Sequence, residues 1–273
     1  MYIDKMRSTC ARYFSGKKIL YLNPGGIASF DAPIHNFLTA HKQTDTEIHV
    51  CSLIPKGRPR HLSTLALEGA VIKDILEVTR YAEKSNYDAL IIGCFGDPGI
   101  REARELANKI VITGPLESSC FFAMSYANNF SMLIGKYSWM SIITPEIERL
   151  GVANKIKSIR DIQMHALDYA KDRKEMEKRL HDQAKLAVHE DKAECIILGC
   201  TLNFSTFESI QKELGVPVID PVLAAFKHAE MLAECKKRFC WHVSSHGTMT
   251  PPADEDLQIQ GVLGQDVIGN MIK

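Results

Sequence analysis

The sequence predicts an α/β protein made of two pseudo-symmetric α/β units with mainly parallel sheets. Three observations carry that prediction. Short β-rich apolar runs alternate with segments of helical periodicity along the chain. The phrase "DALIIGC" at 88–94 is nearly repeated as "ECIILGC" at 194–200, which places Cys94 and Cys200 at matching strand ends (200 − 94 = 106). At 273 residues, with 45% hydrophobic and 24% charged residues, the chain has a globular composition and the length of two ordinary domains.

Taken in order, "KKILYLNPGG" from Lys17 is a buried first strand closed by Asn23-Pro24-Gly25-Gly26. In "FDAPIHNFLTAHK", Asp31 is expected to cap a helix with Pro33 in its first turn and Ile34, Phe37, Leu38 and His41 on one face. "TEIHVCSLI" is a second strand and "KGRPRH" a basic loop. From Ser63 to Lys84, Leu65, Ile72, Ile75, Leu76 and Thr79 keep helical spacing. "DALIIGC" is the third strand, after which Asp97-Pro98 signals a helix start with Ile100, Ala103, Leu106 and Ala107 inward.

"KIVITGP" at 109–115 is the fourth strand. "ESSCFFAMSYANNFSMLIG" is expected as one helix ending at Gly135, and "YSWMSIITP" as a strand closed by Thr144 and Pro145. "DRKEMEKRLHDQAKLAVHE" is a helix that aligns Met176, Leu180, Ala184 and Ala187, its charges forming a solvated face. "AECIILGC" and "VPVIDPV" are the last clear strands.

Three strand ends overlay in the same order: Leu22-Asn23-Pro24 on Ile143-Thr144-Pro145, 88–94 on 194–200, and 109–111 on 217–219. Two related units are the reading this supports. In parallel α/β sheets ligands bind beyond the carboxyl ends of the strands. Two such units facing each other put the thiols of Cys94 and Cys200 on opposite sides of a cleft. That geometry suits removal of a proton from one face of a carbon and its return to the other. A thiol, with an ordinary pKa of ~8.5, is a reasonable group for both tasks. A lone strand-end cysteine usually packs as a small hydrophobe, as Cys195 is expected to, but the matched pair favours chemistry. Asn23 and Thr144, at the overlaid strand ends, are assigned to substrate, as are Phe95, Gly96 and Thr201 beside the cysteines. Glu117 either holds a polar group of the ligand or favours the first turn of its own helix.

Thirty-three basic residues balance 33 acidic ones, so charge points to neither nucleic acid nor an anionic membrane. "MYIDKMRSTCARYFSGKK" lacks the apolar core of a signal peptide, and no run approaches the ~18 apolar residues of a membrane span. The eight cysteines are accordingly read as reduced thiols in a cytoplasmic protein that takes a small-molecule substrate. Cys235, Cys240, His242 and His246 match no zinc module, and neither "TGP" nor "NPGG" has nucleotide-binding spacing, so no metal or cofactor is expected. A homo-oligomer is compatible with the sequence.

"LIIGCFGDPG" around Cys94, "LGCT" around Cys200 and "VPVIDPV" at 216–222 resemble the aspartate/glutamate/hydantoin racemase superfamily over roughly residues 17 to 230. "GCFGDPG", "LNP" and the Gly114–Glu117 element are most similar to its hydantoin (allantoin) racemase branch. The resemblance implies cofactor-independent two-base racemisation, with Cys94 and Cys200 as the acid–base pair. It also implies that the chain returns to its first domain, giving 1–113 plus 218–273 as one domain and 114–217 as the other. The chain departs from the branch at Gly25-Gly26-Ile27 and at Pro145 after Thr144. Its "GCT" is nearer the amino-acid racemases, yet Leu202 replaces the histidine of glutamate racemases, and Phe95-Gly96-Asp97 stands where amino-acid racemases carry "CNT". The expectation is a racemase of a 5-substituted hydantoin or related cyclic ureide. The alternatives are an amino-acid racemase, a decarboxylase on the same scaffold, a non-catalytic small-ligand binder, or a dithiol redox protein.

Overall fold

The computed structural model describes residues 16–273. Its first sheet is built from β1 (Lys17–Asn23), β2 (Thr46–Leu53), β3 (Ala89–Ile92), β4 (Val111–Thr113) and β9 (Ile268–Ile272), in the order β4-β3-β1-β2-β9. Only β9 runs antiparallel, against β2. The second sheet holds β5 (Phe130–Ile134), β6 (Ile156–Asp161), β7 (Ile196–Leu198) and β8 (Val218–Ile219) in the order β6-β5-β7-β8, all parallel. The central strands are continuous apolar runs because helices cover both faces. Ile19, Leu20, Tyr21 and Leu22 of β1 are fully buried, as are Met132, Leu133 and Ile134 of β5.

The two sheets are the same motif used twice. Gly93 N–H donates to the Leu22 carbonyl at 2.7 Å, and Gly199 N–H donates to the Leu133 carbonyl at 2.7 Å. Strand β3 therefore leaves β1 at the point where β7 leaves β5. The next strand keeps the register: Leu90 lies opposite Ile112, and Ile196 opposite Val218. Both steps repeat the offset between the cysteines (196 − 90 = 106; 218 − 112 = 106), so 111–113 and not 109–111 is the counterpart of 217–219.

Two expected elements are corrected. The helix expected across 117–135 ends as α5 (Pro115–Tyr126; α1 to α4 are Asp31–His41, Leu65–Gly69, Ile72–Lys84 and Ile100–Leu106). Ala127 turns extended, Asn128 N–H donates to Glu194, and "FSMLI" becomes the buried central strand β5. A short apolar run has no periodicity of its own that separates a buried strand from a buried helix. Conversely, the strand expected at 137–145 is a 3₁₀ turn, Tyr137–Trp139, running into helix α6 (Met140–Leu150) with Pro145 inside it. Pro145 removes one helical hydrogen bond, and the helix persists by packing Ile142, Ile143 and Ile147 inward. Asn23 is thus matched by the end of β5 and not by Thr144. The segment from Ser63 also differs, being split into α2 and α3 at Ala70-Val71. Asp31 opens α1 without capping it and instead accepts a hydrogen bond from the Ser52 hydroxyl at 2.6 Å.

After α7 (Arg173–His189) and α8 (Phe207–Leu214), β8 still pairs with β7, so Val218 and Ile219 belong to the second sheet. The crossing back falls at Asp220, which caps α9 (Pro221–Phe239) by accepting from Val222 and Leu223 N–H and also takes Ser205 N–H. Helix α9 lays Val222, Ala225, Phe226 and Ala229 against Ile19, Tyr21 and Ile91 of the first sheet. The result brings the carboxyl ends of β3 and β7 together.

The glycine before each cysteine is required by this register. A Cβ on Gly199 would lie 2.7 Å from the Leu133 carbonyl oxygen, and one on Gly93 would enter the Tyr21 ring. Gly199→Ala is expected to lower the unfolding free energy by ~1–3 kcal/mol. Gly69→Ala, with nothing within 4 Å of the added carbon, is expected to shift it by less than ~1 kcal/mol. Urea unfolding of both variants checks the contrast.

Candidate active site

Cys94 follows Gly93 off the end of β3, and Cys200 follows Gly199 off the end of β7. Both line one pocket of about 710 Å³, counting its mouth, whose walls come from both halves. Asn23, Phe95, Gly96 and Thr201 line it as well, together with Glu68, His61, Trp139, Ile142 and Ile143. Of the residues assigned to substrate from the sequence, Asn23, Phe95, Gly96 and Thr201 are thus brought together with the two cysteines.

Thr144 and Glu117 are not. Thr144 rides on α6, whose pocket face is formed by Ile142 and Ile143. Glu117 lies in the first turn of α5, where its carboxylate is gripped by Arg104, with an Nη1–Oε2 bond of 2.8 Å, and approached by Arg149 at 3.7 Å. Burial works against its charge, but Arg104 prevails and holds the carboxyl below its usual range. Its neighbour Gly114 has a structural reason too, since the Asp97 carboxylate occupies the place of a Cβ there. Asp97 caps α5, through Leu116 N–H at 3.0 Å and Glu117 N–H at 2.9 Å, and not the helix that follows it directly. Asn23 also holds the loop after β1, donating to the Ile27 carbonyl at 3.2 Å.

Thr201 joins the halves. Its hydroxyl donates to the Gly93 carbonyl at 3.2 Å, so the residue after one cysteine is tied to the residue before the other. The same carbonyl is approached by the Tyr21 hydroxyl at 3.5 Å.

The thiols are unequal. Burial pushes Cys200 up to about 12, opposed by the N–H groups of Leu202 and Asn203 and by the Tyr169 hydroxyl, all of which favour its thiolate. Cys200 is the N-terminal flank of the 3₁₀ turn Thr201–Asn203, the end of a turn where backbone N–H groups favour a negative charge. Burial raises Cys94 well above the usual thiol range, and neighbouring Glu68, Cys200 and Asp97 raise it further against one helping N–H from Gly96. Cys51, Cys94, Cys120, Cys195, Cys200 and Cys235 carry free thiols, whereas Cys240 is disulfide-bonded, a correction to the expectation of reduced thiols throughout.

Glu68 is the site residue that sequence reasoning missed. It is 7% exposed at the end of α2, and burial beside Asp97 and Glu146 pushes its carboxyl up to about 8. A signal existed: it is the one charge in the run "LSTLALEGAVI". Trp139, Ile142 and Ile143 were hidden by reading their helix as a strand.

Two mainly parallel α/β sheets sharing one pocket, with a thiol from each at matching strand ends, define the class of protein. Comparisons with known proteins narrow it. The Asp/Glu/Hydantoin racemase family model matches residues 19–229. A hydantoin racemase of Pseudomonas sp. (strain NS671) is 33% identical over 221 residues, covering 81% of this chain and 88% of that protein. The hydantoin racemase of Rhizobium meliloti is 33% identical over 211 residues, covering 77% of this chain and 86% of its own length. Allantoin racemase from Klebsiella pneumoniae superposes with a TM-score of 0.82 at 25% identity, covering 91% of this chain and 99% of that one. The chain belongs to the Asp/Glu/hydantoin racemase family and is an isomerase of the racemase type. Among the described residues, no helix is long and apolar enough to cross a membrane, and no group of three or more His, Cys, Asp or Glu side chains is placed to hold a metal ion.

Two outcomes follow from the site as it stands. Thr201→Val keeps shape but removes the bond to Gly93, and is expected to cost about 1 kcal/mol in urea unfolding. Glu68 in the folded chain keeps its proton to about pH 8, whereas the unfolded chain releases it near the ordinary 4.5. Its contribution to stability is therefore present below pH 4.5 and lost as pH rises through 8. Glu68→Gln does not titrate, so its stability relative to wild type is expected to rise by ~2–4 kcal/mol between pH 5 and pH 8, measured by urea unfolding at both.

Proposed function

We propose that the protein inverts the stereocentre at C5 of a 5-substituted hydantoin or related cyclic ureide, with Cys94 and Cys200 as the two acid–base groups. The observation that carries this reading is the pair of free thiols at matching strand ends of the two sheets, lining one pocket. Relatives named for hydantoin and allantoin racemisation support the substrate class.

In this reading one thiolate removes the C5 proton, and the electron pair left on carbon spreads into the adjacent ring carbonyl as an enolate. The opposite thiol then delivers its proton to the other face. One S–H and one C–H are broken and one of each is made, so the pair ends with its protonation exchanged and no outside oxidant or reductant is needed. Cys200 is assigned the more readily ionised thiol of the two, because two backbone N–H groups and Tyr169 favour its charge while Cys94 faces acidic neighbours. Desolvation that makes a thiolate scarce also makes it a stronger base, which suits a carbon acid. The apolar wall of Trp139, Ile142 and Ile143 keeps water from the carbanion.

The test is incubation in deuterated water with single enantiomers of 5-methyl-, 5-isobutyl- and 5-benzylhydantoin, allantoin, aspartate and glutamate. Loss of optical rotation together with loss of the α-proton is expected for hydantoins and not for the free amino acids. Retained rotation across the panel with ligand binding intact would favour a binder. Cys94→Ser and Cys200→Ser are each expected to lower racemisation roughly 10²–10⁴-fold. A Cys94→Ser/Cys200→Ser double variant that still racemises sinks the mechanism.

A further inference from the structure

Beside the thiols the pocket holds a buried carboxyl that the two-base reaction does not use. Glu68 is 7% exposed and its Oε1 atom is fully enclosed without a hydrogen-bond partner. An unpaired buried carboxylate is costly, and proteins ordinarily neutralise or pair it. Here the titratable groups around it are all acids and none is a cation: Asp97 from the loop after β3, Glu146 from α6, and the thiol of Cys94. The basic groups on the same pocket wall, Arg60 and His61, are engaged elsewhere or in solvent, Arg60 being exposed and His61 bonded to Ser63 at 2.9 Å.

The surrounding chain makes room for this carboxyl. The break between α2 and α3 ends the first helix one residue after Glu68. Across from it, Gly96 has no side chain, and the spot its Cβ would occupy is filled by Glu68 Oε1, with Ile142 Cγ2 2.6 Å away from that spot. The glycine two residues after the catalytic cysteine is thus the seat of the acid.

We propose that Glu68 is the residue that recognises the substrate's ring: as a neutral carboxylic acid it donates its O–H to a ring carbonyl and accepts the adjacent ring N–H on its own carbonyl oxygen. The inference rests on the cyclic-ureide reading above. A cyclic ureide offers a carbonyl and an N–H side by side on one edge, the complement of a carboxylic acid. An α-amino acid offers a carboxylate instead, which has no N–H beside its oxygens to complete the pair and brings an uncompensated charge into a buried corner without a cation. Glu68 therefore sets the choice of ureide over free amino acid as well as the depth of the ring between the thiols.

The experiment compares wild type, Glu68→Gln and Glu68→Ala on single-enantiomer 5-methylhydantoin and its N1-methyl and N3-methyl derivatives, with circular dichroism to confirm folding. Wild type is expected to lose at least ~10-fold in kcat/KM on one of the two methylated rings, the loss of one buried hydrogen bond. Glu68→Ala is expected to raise KM for the parent ring ~10–100-fold and to treat that methylated ring like the parent. Glu68→Gln, which keeps one donor and one acceptor, is expected to stay within ~10-fold of wild type and to keep the discrimination. Wild type indifferent to both methyl groups overturns the proposal, whether or not the variants fold. So does a Glu68→Ala enzyme with unchanged KM, or a Glu68→Gln enzyme that loses kcat and keeps KM, which makes Glu68 a proton-transfer group. Wild type that turns over none of the parent hydantoins overturns the substrate reading itself, a result distinct from indifference to methylation.

Discussion

The arrangement depends on how closely the ends of β3 and β7 approach the strands beside them. Each leaves its sheet through a glycine whose N–H bonds the central strand at 2.7 Å, and neither glycine has space for a Cβ. That contact decides where the following cysteine emerges. The Thr201 hydroxyl then ties the second exit to the first through the Gly93 carbonyl. The positions of both thiols are therefore set by backbone contacts within each sheet and by one hydroxyl–carbonyl bond between the halves.

On that frame the pocket achieves its electrostatic character by what surrounds the sulfurs. Burial raises both thiols, and the difference between them comes from their neighbours: the N–H groups of Leu202 and Asn203 favour the thiolate of Cys200, whereas Cys94 has one such N–H and lies beside Glu68 and Asp97. Two cysteines at matching strand ends thus differ in electrostatic setting without any difference in the residue used. The acidic residues are also divided by function. Asp97 and Asp220 are spent on capping α5 and α9, Glu117 on Arg104, and Glu68 alone is left facing the cavity without a partner.

Much of the fold was legible because its signal is local. The buried strands β1, β3 and β7 are apolar runs closed by glycine, and α7 shows its buried stripe of Met176, Leu180, Ala184 and Ala187. The segment from 117 to 145 was not legible, because "FSMLI" and "SWMSIITP" are both apolar and carry no strong period. With one read as helix and the other as strand, the overlay shifts by a full element and Thr144 falls in the place that the end of β5 occupies. The relation between Cys94 and Cys200 does not depend on that segment, since the strands that carry them repeat residue by residue.

The sequence by itself determined the α/β class, the paired glycine–cysteine strand ends and the membership of Asn23, Phe95, Gly96 and Thr201 in the pocket, because each follows from a short segment and the rule that parallel sheets expose their carboxyl ends. Tertiary structure alone decided that Glu117 serves Arg104, that Asp97 caps a helix starting eighteen residues further on (115 − 97 = 18), and that Glu68 faces the cavity. Those assignments turn on which charges meet across the chain and which are left without a partner, and partners distant in sequence carry no local mark of each other.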